Sequence, residues 1–161
     1  MTKQIPLETG IFSWPPDCPG HPYLIGSRCT NCGNHTFPAQ SGCPKCAGAE
    51  TEVLALSRRG TLWTWTVQAF PPKSPPFRGA VDPTHFQPFG VGYVELPGQV
   101  KVEARLTEVD LDELSIGMEL ELVLIPLTTD DDGNDVMTFA FRPLDPHRPN
   151  AEILECEGTD S

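Results

Sequence analysis

The chain has 161 residues, of which 39% are hydrophobic and 20% are charged, as in soluble globular proteins of one domain or two small ones. It has no apolar run of the roughly 20 residues that a membrane span needs, and the N-terminus lacks a signal-peptide pattern, so a cytoplasmic protein without a membrane partner is predicted. The net charge of −11 repels the backbone of nucleic acids, so no nucleic-acid partner is expected.

Residues 1–24 are predicted to form an N-terminal arm in which aromatic residues lie among prolines. A short proline-rich arm cannot bury large rings by itself, and exposed aromatic clusters usually mark contacts with another protein. The sequence therefore predicts that the arm contributes to a partner interface through Phe12, Trp14 and Tyr23.

Residues 25–52 are predicted to form a zinc ribbon, because they contain two C-x-x-C pairs separated by ten residues. Each pair suits a tight turn, and two such turns present four thiolates to one zinc ion in a tetrahedron. Sulfur then fills every ligand position and leaves none for water or substrate, so the predicted metal is a structural zinc, one per chain. The predicted ligands are Cys29, Cys32, Cys43 and Cys46.

Two other interpretations of these cysteines fit the sequence less well. A cytosolic chain keeps its thiols reduced, which disfavours disulfides. A redox dithiol normally opens a helix in an α/β pattern, and the proline and glycine around CTNCGN and GCPKCAG disfavour that helix. Cys18 and Cys156 lie outside the pattern and are expected to be free thiols.

Residues 53–143 are predicted to form a barrel, because they contain five segments with the alternating polarity of half-buried strands. In the first segment the alternation predicts that Trp63, Trp65 and Val67 share one face. A short helix or turn at 110–118 separates the third segment from the fourth, which is the order of an OB-fold. The five segments are GTLWTWTV (60–67), FGVGYVEL (89–96), QVKVEARL (99–106), MELELVLIP (118–126) and VMTFAFRP (136–143).

The predicted fold is therefore mainly β, with an N-terminal rubredoxin-like zinc ribbon followed by a five-stranded OB-fold barrel. Residues 144–161 are predicted to form an acidic C-terminal tail. The order of motifs from about residue 22 to residue 143 resembles the zinc-ribbon OB-fold proteins known as domain of unknown function thirty-five. The motifs that carry the resemblance are LIGSRCTNCGNHTFP, CPKC, RRGTLWTWTV, PFGVGYVEL, LSIGMELELVL and FAFRP.

The resemblance implies an accessory subunit of a thiolase-fold enzyme, in a hetero-oligomer that acts on acyl-CoA by thiolysis, aldol cleavage or acyl transfer. No catalytic residue is predicted in the chain itself, because its four histidines lie in loops without a serine, cysteine or carboxylate at a recognisable spacing. One of them, His35, is a candidate hydrogen-bond donor to a zinc-bound sulfur. The alternative function is an OB-fold that binds nucleic acid or oligosaccharide through Trp63 or Trp65. The histidines are His21, His35, His85 and His147.

Basic residues concentrate in the middle of the chain, where residues 57–106 carry a charge of +3 against −14 for the remainder. This distribution suits a small anionic ligand, although a solvated strand face has a similar scatter of charge. The loop at 68–88 has six prolines and is either an irregular surface loop or a stiff contact with the partner's substrate entrance. On the second interpretation Lys73 and Arg78 contact the phosphates of CoA or acyl-CoA, and the partner interface extends to Phe77, His85 and Phe86.

Overall fold

A computed structural model of the chain describes residues 2–15, 21–71 and 85–147. These ranges are mainly β, and no helix in them has the length and apolar character needed to cross a membrane. A 3-10 helix at Leu111–Glu113 lies between the seventh and eighth strands. The strands of the described ranges are β1 (Gln4–Pro6), β2 (Ile25–Cys29), β3 (His35–Thr36), β4 (Thr51–Ala55), β5 (Arg59–Gln68), β6 (Phe89–Glu95), β7 (Lys101–Leu106), β8 (Glu119–Thr129) and β9 (Asp135–Pro143).

The smaller sheet is the ribbon, in which β2 lies between β3 and β4 and pairs antiparallel with both. Cys29 ends β2 opposite Thr51, so this sheet brings the cysteine-bearing turns to one end of the ribbon. The hydroxyl of Ser27 is buried between the strands and lies 2.5 Å from the hydroxyl of Thr36. A polar contact therefore occupies the buried space between β2 and β3.

The larger sheet closes on itself as a five-stranded barrel. Strands β5, β6 and β7 form an antiparallel meander, β8 pairs with β5, and β9 pairs with β8 along its whole length. The closure is a parallel contact between β7 and β9 at Leu106 and Phe141. The predicted rubredoxin-like ribbon and five-stranded OB-fold barrel are therefore confirmed, with the 3-10 helix at the predicted place between the third and fourth barrel strands.

A β-bulge in β5 contradicts the predicted face of one tryptophan. Leu62 pairs with Val94 and Thr64 pairs with Tyr93, so the register shifts by one residue between Leu62 and Thr64. Because side chains alternate along a strand, the extra residue reverses the phase. Trp65 packs against the core, whereas Trp63 is 51% exposed on the outside of the barrel. The prediction that the two rings share a face is wrong.

The described residues of the N-terminal arm lie against the barrel. Strand β1 pairs in parallel with the first residues of β9, on the edge that β7 reaches only at Phe141. Phe12 then pairs with Leu24 in an isolated antiparallel bridge and is only 3% exposed. The expectation that the arm leaves Phe12 unburied is wrong, because contacts distant in sequence supply the cover that the arm itself lacks.

A single hydrophobic cluster joins the arm, the ribbon and the barrel. Leu24 and Leu56, which flank the ribbon, are buried in the same cluster as Phe141 at the centre of the barrel. The ribbon also touches the barrel through Phe37, whose ring meets that of Phe139 edge to face at 5.7 Å. The three parts therefore support one another through one core.

Close backbone approach explains the glycine at the start of β5. A Cβ atom at Gly60 would overlap the carbonyl oxygen of Glu95 and would lie 2.9 Å from Cγ1 of Val94. Overpacking of this kind costs about 1–3 kcal/mol. We expect Gly60→Ala to lower the free energy of unfolding by about that amount, measured by urea unfolding. Gly42→Ala is the control, because its Cβ would meet nothing closer than 3.7 Å; equal stability of the two variants would contradict the steric argument.

Candidate metal centre

The two C-x-x-C turns have the same backbone geometry. In the first, the N–H of Gly33 donates to the carbonyl oxygen of Cys29 at 3.0 Å, and the N–H of Cys29 donates to that of Asn34 at 2.8 Å. In the second, the N–H of Ala47 donates to the carbonyl of Cys43, and the N–H of Cys43 donates to that of Gly48, both at 2.9 Å. Gly33 and Ala47 both adopt positive φ, at 77° and 59°. Each turn therefore folds back on its first cysteine and points two thiols in one direction.

The four sulfur atoms meet at the spacing of a tetrahedral metal site. The Sγ atoms of Cys29 and Cys46 are 3.6 Å apart, those of Cys32 and Cys43 are also 3.6 Å apart, and all four lie within 4.8 Å of one another. A zinc ion with Zn–S bonds of about 2.3 Å requires edges of about 3.8 Å between its sulfur ligands. A disulfide requires about 2.05 Å, which these pairs do not approach. The four predicted ligands are brought together and fit one metal ion.

The thiols differ strongly in acidity. A hydrogen bond from the side-chain amide of Asn31 is the main cause that lowers the pKa of Cys46 to about 6. At Cys32 the largest influence, a backbone hydrogen bond from Asn34, lowers the pKa, but burial and the neighbouring cysteines outweigh it and raise the pKa to about 11. The backbone N–H of Cys46 lowers the pKa of Cys43. Negative charge is thus favoured on some sulfurs at the expense of others, and a bound cation would relieve this competition.

The donor set leaves no open coordination position. Four sulfur ligands complete the tetrahedral shell of zinc, so the ion would bind neither water nor substrate. Cys29 and Cys43 are buried and Cys32 and Cys46 are exposed, which places the cluster at the surface end of the ribbon. The arrangement is suited to hold the two turns together rather than to perform catalysis.

Comparison with known proteins places both parts of the chain in one family. Residues 17–52 match the rubredoxin-like zinc ribbon domain of ChsH2, and residues 54–124 match the C-terminal OB-fold domain of ChsH2. A DUF35 domain-containing scaffold protein of Pyrococcus furiosus is 33% identical over 122 residues, which are 75% of this chain and 83% of that protein. This chain belongs to the DUF35 family.

This DUF35 protein is also similar to a thiolase subunit and to a chain of a solved aldolase structure. Benzoylsuccinyl-CoA thiolase subunit BbsA of Thauera aromatica is 34% identical over 123 residues, which are 76% of this chain and 78% of the relative. A solved structure described as the Ltp2-ChsH2(DUF35) aldolase has a chain that aligns with a TM-score of 0.55 at 25% identity. The alignment covers 75% of this chain and 84% of that one. The resemblance to the DUF35 family that the motifs suggested is confirmed.

The residues predicted for the partner interface are dispersed among different environments. Phe12 is buried in the core, and Trp14 packs against the core with its ring 6.3 Å from that of Phe12. Tyr23 is half-buried, and its backbone N–H donates to Ser13. His85 is exposed and Phe86 is half-buried. Lys73, Phe77 and Arg78 lie outside the described residues, as do Cys18 and Cys156.

The histidines do not form a catalytic arrangement where the structure describes their contacts. His21 lies with Nδ1 3.1 Å from a guanidinium nitrogen of Arg58. His35 is part of β3, and His147 uses its backbone N–H to contact Asp145. Within the described ranges, no ring nitrogen of these three is hydrogen-bonded to a serine, cysteine or carboxylate. The side chain that donates to a cluster sulfur is that of Asn31, at 3.5 Å, rather than His35.

Asn31 is a residue of the metal centre that the sequence alone did not single out. It occupies the second intervening position of the first C-x-x-C turn, CTNC, and reaches across to Cys46 of the second turn. An asparagine inside the C-x-x-C turn could have indicated this role, because side-chain donors commonly form hydrogen bonds to metal-bound sulfurs.

Removing one sulfur should release the metal and unfold the ribbon. We expect Cys43→Ser to contain far less than the roughly one zinc ion per chain of the wild type, because binding of structural zinc is largely folding free energy. The measurement is elemental analysis together with thermal unfolding. Cys18→Ser and Cys156→Ser are the controls and should keep the metal. A soluble wild-type protein that folds identically with and without metal would contradict the structural role.

Proposed function

We propose that this chain is a non-catalytic accessory subunit of a thiolase-like enzyme complex that acts on acyl-CoA by thiolysis, aldol cleavage or acyl transfer. The observation that carries the proposal is membership of the DUF35 family together with the identity of two relatives, a thiolase subunit and a scaffold protein. The aligned solved structure is named as an aldolase with a ChsH2 component, which supports the same class of partner. The complex is then a hetero-oligomer in which a thiolase-fold subunit supplies the reacting groups.

The metal centre has no open coordination position, which supports a non-catalytic role. The four sulfurs leave no site for substrate, and the described contacts of His21, His35 and His147 pair none of these rings with a nucleophile. We infer that the metal is zinc, one per chain, and that its role is to fold the ribbon. We propose a cytoplasmic location, where thiols stay reduced and available to the metal.

The contact with the partner is proposed to involve the end of the loop before β6. Phe86 is half-buried beside Phe89, with ring centroids 5.9 Å apart, and His85 is exposed next to it. Phe77 belongs to the same loop in the sequence. From the arm, Trp14 and Tyr23 stay in the proposed interface, whereas Phe12 leaves it because it is buried. Lys73 and Arg78 are proposed to attract the phosphates of CoA.

Reconstitution tests the proposed function. The full-length chain is tagged in its native host, the material that stays bound is identified by mass spectrometry, and the captured enzyme subunit is purified. We expect a thiolase-fold subunit whose turnover of acyl-CoA rises when this chain is added, and no turnover by this chain alone.

Two results would contradict the accessory role. Turnover by this chain alone, after a tag-only purification has excluded contaminating enzyme, would make it an enzyme. Co-purification with nucleic acid or oligosaccharide and with no enzyme subunit would favour the alternative OB-fold function, for which exposed Trp63 offers a stacking surface.

Charge removal in the loop tests the CoA contact separately. We expect Lys73→Ala with Arg78→Ala to raise the apparent KM for acyl-CoA in the complex several-fold and to leave assembly nearly intact. The effect should shrink as salt rises, because exposed charges are screened over about 10 Å at 0.1 M salt. Arg28→Ala is the control, since Arg28 pairs with Glu52 on the exposed ribbon. Equal KM values in all variants and at all salt concentrations would remove these two residues from the CoA site.

A further inference from the structure

One outer face of the barrel carries an unusual concentration of aromatic and basic side chains. Along β6 and β7 the inward positions, such as Val94 and Val102, are buried, and the alternate positions face outward. The bulge in β5 adds Trp63 to the same outward side, opposite Tyr93. We call this surface the outer aromatic face; its residues are Trp63, Phe89, Tyr93, Lys101 and Arg105.

Two of the three rings of this face form cation–π pairs. Trp63 and Tyr93 meet edge to face with centroids 6.3 Å apart, and Nζ of Lys101 lies 4.4 Å above the Trp63 ring. The guanidinium of Arg105 lies 4.1 Å above the ring of Phe89. Trp63 is 51% exposed and Tyr93 is 41% exposed. Trp, Tyr and Arg are the residues that most often dominate binding energy at protein interfaces.

Arg105 is the cation of this face that forms no ion pair within the described part of the chain. Its Nε atom is buried and has no hydrogen-bond acceptor there. Val91 stands opposite it on β6, and Glu103, two residues before it on β7, accepts a hydrogen bond from the Tyr93 hydroxyl at 3.3 Å. Burial also lowers the pKa of Arg105. A partly desolvated cation without an anion opposes folding, so an external carboxylate is the complementary group.

We propose that the outer aromatic face is a docking surface for the thiolase-fold enzyme subunit, which places a carboxylate on Arg105 and apolar side chains against Trp63 and Tyr93. The unpaired guanidinium of Arg105 favours a partner that offers a carboxylate, because a guanidinium fork binds a carboxylate through two parallel hydrogen bonds. The enzyme subunit of the proposed function is the partner that we assign to it. The inference rests on the proposed function. It extends the proposed interface, since Phe86 at the end of the loop adjoins Phe89 of this face.

The test compares stability and binding in the same variants. The probe is the purified thiolase-fold subunit recovered by capture, and its Kd for this chain is measured by calorimetry. We expect Arg105→Met to weaken binding by about tenfold or more and to keep or raise the melting temperature, because the apolar stem still packs on Phe89 while the desolvated charge is gone. Arg105→Lys should recover only part of the affinity, since lysine lacks the planar fork.

The second arm of the test addresses the aromatic pair. Trp63→Ala is expected to weaken binding by about tenfold or more. Arg28→Met and Val53→Ala are the matched controls on the exposed ribbon, and each should bind within about twofold of the wild type.

The outcomes separate this inference from the proposed function. If the wild type binds the enzyme subunit but Arg105→Met and Trp63→Ala bind equally well, the docking surface is wrong and the accessory function stands. If Arg105→Met unfolds the protein and Arg105→Lys restores both stability and full affinity, Arg105 is a structural residue and the inference also fails. If the wild type binds no thiolase-fold subunit, both proposals are overturned.

Discussion

The ribbon depends on four sulfur atoms held at tetrahedral spacing. Its three strands are short, and within residues 25–55 the described buried positions are Gly26, Ser27, Cys29 and Cys43, so there is little apolar core to stabilise it. A domain of this size is normally held together by metal or disulfide bonds. The paired turns supply the metal ligands, and the β2–β4 pairing fixes where they meet. Phe37, which directly follows β3, contacts Phe139 and so joins the ribbon to the barrel.

The barrel in turn depends on the sharing of β9. This strand pairs with β8 along its length, and its other edge is divided between β1 at the start and β7 at Phe141. The arm therefore covers an edge that would otherwise be open to pairing with another chain. Because the arm, the ribbon and the inner faces of the strands all bury their apolar side chains in one cluster, the outward side of β5–β7 is left as a surface with large rings exposed.

The elements that sequence analysis predicted well are those encoded by local patterns. The metal ligands follow from the spacing of Cys29, Cys32, Cys43 and Cys46, and the five barrel strands follow from alternating polarity. The failures concern residues whose environment is set by distant chain segments. Phe12 is buried by the ribbon and barrel, which no property of the arm indicates.

The bulge at Trp63 and the unpaired Nε of Arg105 have a similar origin. A bulge depends on how β5 pairs with β6 and on Gly92 opposite Trp65, so the alternation of the sequence alone assigns both tryptophans to one face. The sequence alone predicts an ordinary ion pair for Arg105, because Glu103 lies two residues before it, on the same side of the strand. Only the pairing shows that Val91 is opposite and that Glu103 is engaged by Tyr93.

The structure of the assembled complex, determined by cryo-electron microscopy with a bound acyl-CoA, would test whether this chain is a non-catalytic subunit with a structural metal. We expect one metal ion held by the four cysteines far from the reacting carbon, with every nucleophile and acid–base group contributed by the enzyme subunit. A side chain of this chain positioned to attack or to transfer a proton, or a cysteine of the cluster bound to substrate, would contradict this expectation.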